Sequence, residues 1–216
     1  MAGGVIRHAG DLQQAAALVA ADEPRLAPAL PLIDAFPFRL RGPGFPTLLQ
    51  LILEQQVSVR AAEAMWHKLS ACLQPITPEG FLTLSDDTMR ACGFSRPKMR
   101  YGTALAHAVI DRQLDFDAIG EMDDPNAIET LTCLKGVGTW TAECYLLFGL
   151  GRPDILPAKD LALMVGWQML ADLESRPSAP ELAAAAEAWR PRRSAAAFLI
   201  WRYYVAKQKD KSLPGI

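Results

Sequence analysis

Apolar residues recur along this chain at intervals of three and four almost from end to end, and no run of alternating β-branched and polar residues is long enough to make a strand. That periodicity predicts an all-α protein. Residues 10–21 form a first apolar-periodic stretch, and the Pro-rich piece from Pro24 to Pro46 reads as a short helix with extended flanks. From Pro46 to about Leu73 the sequence around LLQLILEQQVSVRAAEAMWHKL is too long and, in its first half, too evenly apolar for one surface helix. Ser58 offers an N-cap midway, so two helices meeting near Val57 are expected. Thr77-Pro78 and Ser85 start further helices, Gly93 stops one, Pro97 to Gln113 make another, and Asp124-Pro125 start the next. Ser178-Ala-Pro-Glu181 has capping-box spacing, with helix continuing from Ala183 to Trp189 until Pro191. The last helix should run from Arg193 to about Lys207, leaving the charged tail KQKDKSLPGI frayed.

With 216 residues, half of them apolar, the chain can bury a core as one domain or as two small ones. No stretch reaches the ~18 uninterrupted apolar residues of a membrane span. The start MAGGVIRHAG lacks the charged-then-apolar order of a secretory signal, so the expected compartment is the cytoplasm, with no membrane partner. Cysteines at 72, 92, 133 and 144 show no metal or disulfide spacing and read as buried thiols. His8, His67 and His107 have no partner spacing for a metal or a triad. Net charge is −2 and the pI about 5.9, which is no global signature of nucleic-acid binding. Phosphate recognition would therefore have to be local and made largely by backbone N–H groups, which bind anions without adding formal charge.

The segment from Asn126 to Val165 meets that demand. Two helical runs, Ala127 to Cys133 and Thr141 to Phe148, are separated only by LKGVG, so their connection must be a tight hairpin in which glycine supplies backbone freedom. Gly136 and Gly138 can present bare N–H groups just where the next helix begins with its own unpaired N–H groups and positive dipole end. A plain helix-to-helix turn has the same Gly-x-Gly. Beyond it, LPAKD puts Asp160 directly before the apolar run LALMV, where it fits an N-cap. Arg96, Lys98 and Arg100 form a small basic cluster after Gly93 that could touch a phosphate backbone or be solvated surface.

LKGVGTWTAE followed by PAKDLAL resembles the helix-hairpin-helix, Gly/Pro-rich, aspartate superfamily of base-excision DNA glycosylases, and within it the DNA-3-methyladenine glycosylase II family. FPTLLQLILEQQVSVRAA is similar to the family's minor-groove segment and WRPRRSAAAFLIW to its closing helix, so the likeness spans Gly42 to about Trp201. It implies one glycosylase unit over 1–216 with two helical subdomains flanking a DNA-binding cleft. One would cover about 40–150 and contain the hairpin at 125–149; the other would cover about 1–39 with 151–210. The implied type is compact and all-helical, without room for the N-terminal sheet domain some members carry.

The implied activity is hydrolysis of the N-glycosidic bond of alkylated purines in duplex DNA by base flipping, initiating base excision repair. By the resemblance Asp160 is the essential carboxylate, and Gly136, Gly138 and Thr139 bind a phosphate through backbone N–H groups. Gln56 is the minor-groove wedge, with a polar residue at a helix end as its plain reading. Trp140, Cys144, Tyr145 and Arg192 fall at the base pocket, where a tryptophan face would attract a cationic base by roughly 0.5–2 kcal/mol. Trp140 also stands where strand-cleaving members carry a Schiff-base lysine, which implies a monofunctional enzyme. Lys159 replaces an acidic residue common before the aspartate; pairing with a phosphate or acting on the charge of Asp160 are its open roles. No cofactor is required and the iron–sulfur cysteines are absent, while a monovalent cation (Na+ or K+) is implied on the carbonyls of Thr132, Leu134 and Val137. The implied partner is double-stranded DNA with a damaged base, bound by a monomer on a bacterial-type chromosome. Two rivals stand beside this reading: a weak or inactive family member that recognises deformed DNA, and a glycosylase for oxidised or mismatched bases.

Overall fold

A computed structural model of the chain describes residues 4–35 and 40–212, and among these it contains helices and no strand. Twelve α-helices can be named: α1 (Ala9–Asp22), α2 (Phe45–Glu54), α3 (Val59–Cys72), α4 (Pro78–Leu82), α5 (Asp86–Ala91), α6 (Arg96–Ile110), α7 (Phe116–Glu121), α8 (Asp124–Thr132), α9 (Thr139–Phe148), α10 (Leu161–Leu170), α11 (Ala179–Ala185) and α12 (Arg193–Ser212). Two 3₁₀ segments, Pro24–Ala35 and Ala186–Trp189, complete the set. The first carries Pro28 and Pro31 inside it, and each proline removes an N–H that an α-helical ladder would need. Where a short helix with extended flanks is expected, the chain forms a long 3₁₀ run.

Local capping accounts for most helix starts. Ser58, Thr77, Ser85, Ser95 and Asp123 each accept a first-turn backbone N–H, and Ser178 with Glu181 forms a complete capping box. His8 caps α1 in the same reciprocal way with Asp11. Gly93 ends α5 with φ +96°, a left-handed turn that glycine adopts without strain. The last helix continues past Lys207 to Ser212 rather than fraying there; the rest of the tail, 213–216, lies outside the described residues. Of the four thiols read as buried, Cys92 and Cys144 are, whereas Cys72 and Cys133 sit at exposed helix ends.

The chain divides into two units, one of residues 41–150 and one made of both ends, residues 1–40 with 151–216. In the first, α2 is the central element. Seven of its ten residues are buried, too many for a helix with a solvent face. Phe45 on α2 packs edge-on against Phe81 at 6.0 Å, and Phe81 meets Phe94 at 5.8 Å. The unit is closed where the chain enters and leaves it: the Arg41 N–H donates to the Phe148 carbonyl at 2.9 Å, and the Arg41 guanidinium pairs with Glu54 at 2.9 Å.

The other unit is organised on α12, in which every residue from Ser194 to Ile200 is buried. The run Ala195–Ala197 lets neighbouring backbones approach closely. Trp167 of α10 and Trp189 meet edge-on at 4.8 Å, and the Arg25 guanidinium, held by Glu23 at 2.7 Å, lies 4.7 Å from the Trp167 ring centre. At the α10–α12 crossing Gly166 has no space for a side chain: a Cβ there would stand 2.6 Å from Ile200 Cγ2 and 2.9 Å from the Ile200 carbonyl oxygen. Gly166→Ala must therefore displace backbone, and a loss of about 1–3 kcal/mol is expected. Denaturant unfolding monitored by tryptophan fluorescence measures it; an unchanged midpoint would show that the helices yield freely.

Candidate functional site

In the 41–150 unit, α8 and α9 are joined by only six residues. Leu134 N–H donates to the Leu131 carbonyl and Val137 N–H to the Leu134 carbonyl at 3.0 Å, which closes a tight turn. Gly136 in that turn has φ +91°, and an added Cβ would lie 2.2 Å from Cγ of Tyr101, whose ring rests against the glycine. Gly138 is the N-cap of α9 at φ −95°, exposed, with no side-chain cap and nothing within 4 Å of where its Cβ would be. Thr139, half-buried, begins the helix. Gly136, Gly138 and Thr139 thus lie together at one helix start whose dipole and first-turn N–H groups favour an anion.

The expected wedge is registered to this hairpin by its neighbour. Gln55 Nε2 donates to the Gly136 carbonyl and to Thr141 Oγ1, both at 2.9 Å. Gln56 follows with φ +55°, in the left-handed region, and is exposed; Val57 and Val59 beside it are 40% and 74% exposed. The two glutamines of EQQVS therefore divide their tasks, one tying the loop inward and one presented outward. Below them, Lys98 Nζ donates to the Leu53 carbonyl at 2.6 Å near the end of α2, and burial draws its pKa below the usual lysine range. This corrects the reading of Arg96, Lys98 and Arg100 as one surface cluster. Positions four apart share a helix face and the position between them does not, so only Arg96 and Arg100 are exposed.

Trp140, in the first turn of α9, is half-exposed. Cys144 and Tyr145, expected at a pocket wall, are interior residues with 1% and 0% exposure. The Tyr145 hydroxyl accepts the Gly44 N–H at 2.8 Å, its ring packs 5.6 Å from Phe116, and burial pushes its pKa up to about 12. Tyr145 anchors the loop before α2, which is a structural task.

In the other unit, Asp160 caps α10 as its place before LALMV predicts. Its Oδ1 accepts the Leu163 N–H at 3.0 Å and the Trp201 Nε1–H at 3.1 Å. The loop leading to it is fastened to the start of α12. Arg193 Nε donates to Asp154 Oδ1 at 2.9 Å and its Nη2 to Oδ2 at 3.0 Å, while Arg190 adds a bond to Oδ2 at 2.8 Å. Ser194 Oγ accepts the Ile155 N–H at 2.9 Å and donates to the Arg152 carbonyl at 2.6 Å. Nothing in the spacing of WRPRRSAAAFLIW marks these contacts, which join residues far apart in the chain. The only signal for Trp201 was its place in that segment.

Arg192 pairs with Asp22, so the guanidinium expected at the pocket is held by a carboxylate of its own unit. Lys159 is exposed beside Asp160. Among the described residues no group of three or more His, Cys, Asp or Glu side chains could hold a metal ion. A single carboxylate oriented by two N–H donors can stabilise a developing cation and position a water molecule.

Residues 49–191 match the model of the HhH-GPD superfamily of base excision DNA repair proteins, and the chain belongs to that superfamily. It is 32% identical over 174 residues to DNA-3-methyladenine glycosylase 1 of Schizosaccharomyces pombe, covering 79% of this chain and 75% of that protein. The structure of the S. pombe 3-methyladenine DNA glycosylase in complex with abasic DNA is similar with a TM-score of 0.78 and 27% identity, over 88% of this chain and 95% of that one. A DNA-3-methyladenine glycosidase from Bacillus halodurans is similar with a TM-score of 0.71 and 28% identity, over 89% of each chain.

The hairpin glycines give a paired prediction. Gly136→Ala places a methyl group in the Tyr101 ring at an unfavourable φ and should cost more than about 1–2 kcal/mol, whereas Gly138→Ala meets open space and should change stability by about 0.5 kcal/mol or less. Thermal unfolding of both variants tests this. Equal losses would mean that the Tyr101 contact does not shape the hairpin.

Proposed function

We infer that this chain is a monofunctional DNA glycosylase that removes alkylated purines from duplex DNA. The observation that carries the reading is Asp160, held by Leu163 N–H and Trp201 Nε1–H in a chain of this superfamily. Its relatives named DNA-3-methyladenine glycosylase supply the substrate class, and the S. pombe complex with abasic DNA supplies the ligand. Trp140, in place of a lyase lysine, supports hydrolysis without strand cleavage.

Alkylation at a ring nitrogen makes a purine cationic, so the C1′–N bond breaks with its electron pair passing to the base and positive charge spreading over C1′ and the ring oxygen. The Asp160 carboxylate stabilises that cation; water then bonds to C1′ and gives up its proton to the carboxylate or to solvent. The departing base is neutral, so no strong general acid is needed. The backbone N–H groups of Gly136, Gly138 and Thr139 take a phosphate, and Gln56 enters the duplex from its left-handed turn. Trp140 supplies an aromatic face for the extruded base. The enzyme acts as a cytoplasmic monomer and needs no cofactor for the chemistry.

A monovalent cation on the carbonyls of Thr132, Leu134 and Val137 belongs to this reading. The Leu134 carbonyl accepts one N–H and has a second lone pair to offer. Replacing K+ by a tetraalkylammonium ion at equal ionic strength should then weaken duplex binding; undiminished binding would remove the cation from the scheme.

Base release from methylated duplex DNA, with the liberated bases separated chromatographically, tests the whole. Asp160→Asn should abolish release of methylpurines while leaving DNA binding intact. Trp201→Phe removes one donor to the carboxylate and should slow release by about ten- to a hundredfold, as expected for a hydrogen bond to a charged group. Duplex binding without base release from the wild type would instead assign the chain to recognition of deformed DNA.

A further inference from the structure

A cavity of about 510 Å³ opens beside the hairpin, with Met89 and Met99 among its lining residues. Arg96, Arg100 and His107 of α6 and Lys135 of the hairpin turn also line it, and all four are exposed. Positions 96, 100, 103 and 107 follow the three- and four-residue spacing that puts side chains on one helix face. The carboxylate among the lining residues is Asp86, and Arg90 already pairs with it and with Asp87, at 3.3 and 2.6 Å. Among the described residues no carboxylate forms an ion pair with Arg96, Arg100 or Lys135.

The cavity is also continuous with the hairpin. Lys135 immediately precedes Gly136, and Tyr101, the neighbour of Arg100, has its ring against Gly136. Cations are thus gathered in one concave place next to the backbone groups assigned to a phosphate, in a chain whose net charge is −2. In a chain with more acidic than basic residues, this gathering gives the hairpin the positive field that overall composition does not.

We propose that Arg96, Arg100 and Lys135 form a second phosphate-binding site, which takes the DNA backbone where it runs on from the phosphate held by the hairpin. The proposal rests on the glycosylase reading for its ligand. Contacts of this kind hold the protein in register on the duplex and read no sequence.

The test is duplex binding by fluorescence anisotropy over a series of KCl concentrations, comparing the wild type with Arg96→Gln/Arg100→Gln, with the same pair changed to lysine, and with Lys135→Gln. Each phosphate contact removed should lower the slope of log affinity against log salt by about 0.9, so the double glutamine variant should lose about 1.8 and Lys135→Gln about 0.9. The lysine pair should keep the wild-type slope, and all variants should keep the wild-type thermal midpoint, because these side chains are exposed. Equal slopes for wild type and glutamine variants, with methylpurine release by the wild type intact, overturn this site alone. Inorganic phosphate bound by the wild type and lost in the variants, with the slopes still equal, would make it a small-anion pocket and overturn it equally. A wild type that neither binds duplex DNA nor releases bases overturns the glycosylase reading and this site with it.

Discussion

The Asp154 carboxylate is the fixed point on which the placement of Asp160 depends. The ten residues from Gly151 to Asp160 contain no helix and would have many conformations on their own. Arg193 takes both Asp154 oxygens, Arg190 shares one of them, and Ser194 bonds to the chain on either side. Seven residues after Ser194, or about 10 Å along the helix axis, Trp201 donates to Asp160. Both ends of the loop are therefore fastened to a single helix, and the rigidity of that helix sets the position of the carboxylate. The Arg193–Asp154 pair is largely enclosed, with 18% and 16% of the side chains exposed. Such a pair adds little net stability once desolvation is counted, so its value here lies in fixing one geometry.

In the other unit the comparable constraint is steric. A tight turn at Gly136 is closed from one side by the Tyr101 ring and from the other by the Gln55 amide, whose two hydrogen bonds tie the loop after α2 to the hairpin. Gln56 takes its left-handed conformation in that tethered loop. The hairpin and the loop that carries Gln56, far apart in the chain, are held in register by a single side chain. Burying Lys98 beneath the end of α2 costs desolvation, and its bond to the Leu53 carbonyl offsets part of that cost.

Recognition of a polyanion by an acidic protein follows from the same economy of charge. Backbone N–H groups at a helix start carry partial positive charge that formal composition never counts. Exposed side-chain cations stand on one face of α6 and in the hairpin turn, while Lys98 is withdrawn to the interior.

What the sequence by itself determined is local. Helical periodicity, the N-caps at Ser58, Ser85 and Asp160, the capping box at Ser178 and the glycine turn in LKGVG all involve groups within four positions of each other, so residue type and spacing suffice to define them. The cap at Asp160 and the turn at Gly136 and Gly138 were legible for that reason, whereas Gln56 was singled out only by the family resemblance, and its left-handed backbone appears only in the fold. Tertiary structure alone decided which partner each side chain meets. Trp201 reaches Asp160 across 41 residues, Gln55 reaches Gly136 across 81, and Tyr145 reaches Gly44 across 101. The direction of Lys98, the enclosure of Cys144 and Tyr145, and the commitment of Arg192 to Asp22 were set likewise by packing, which depends on which helix faces meet rather than on any spacing within one helix.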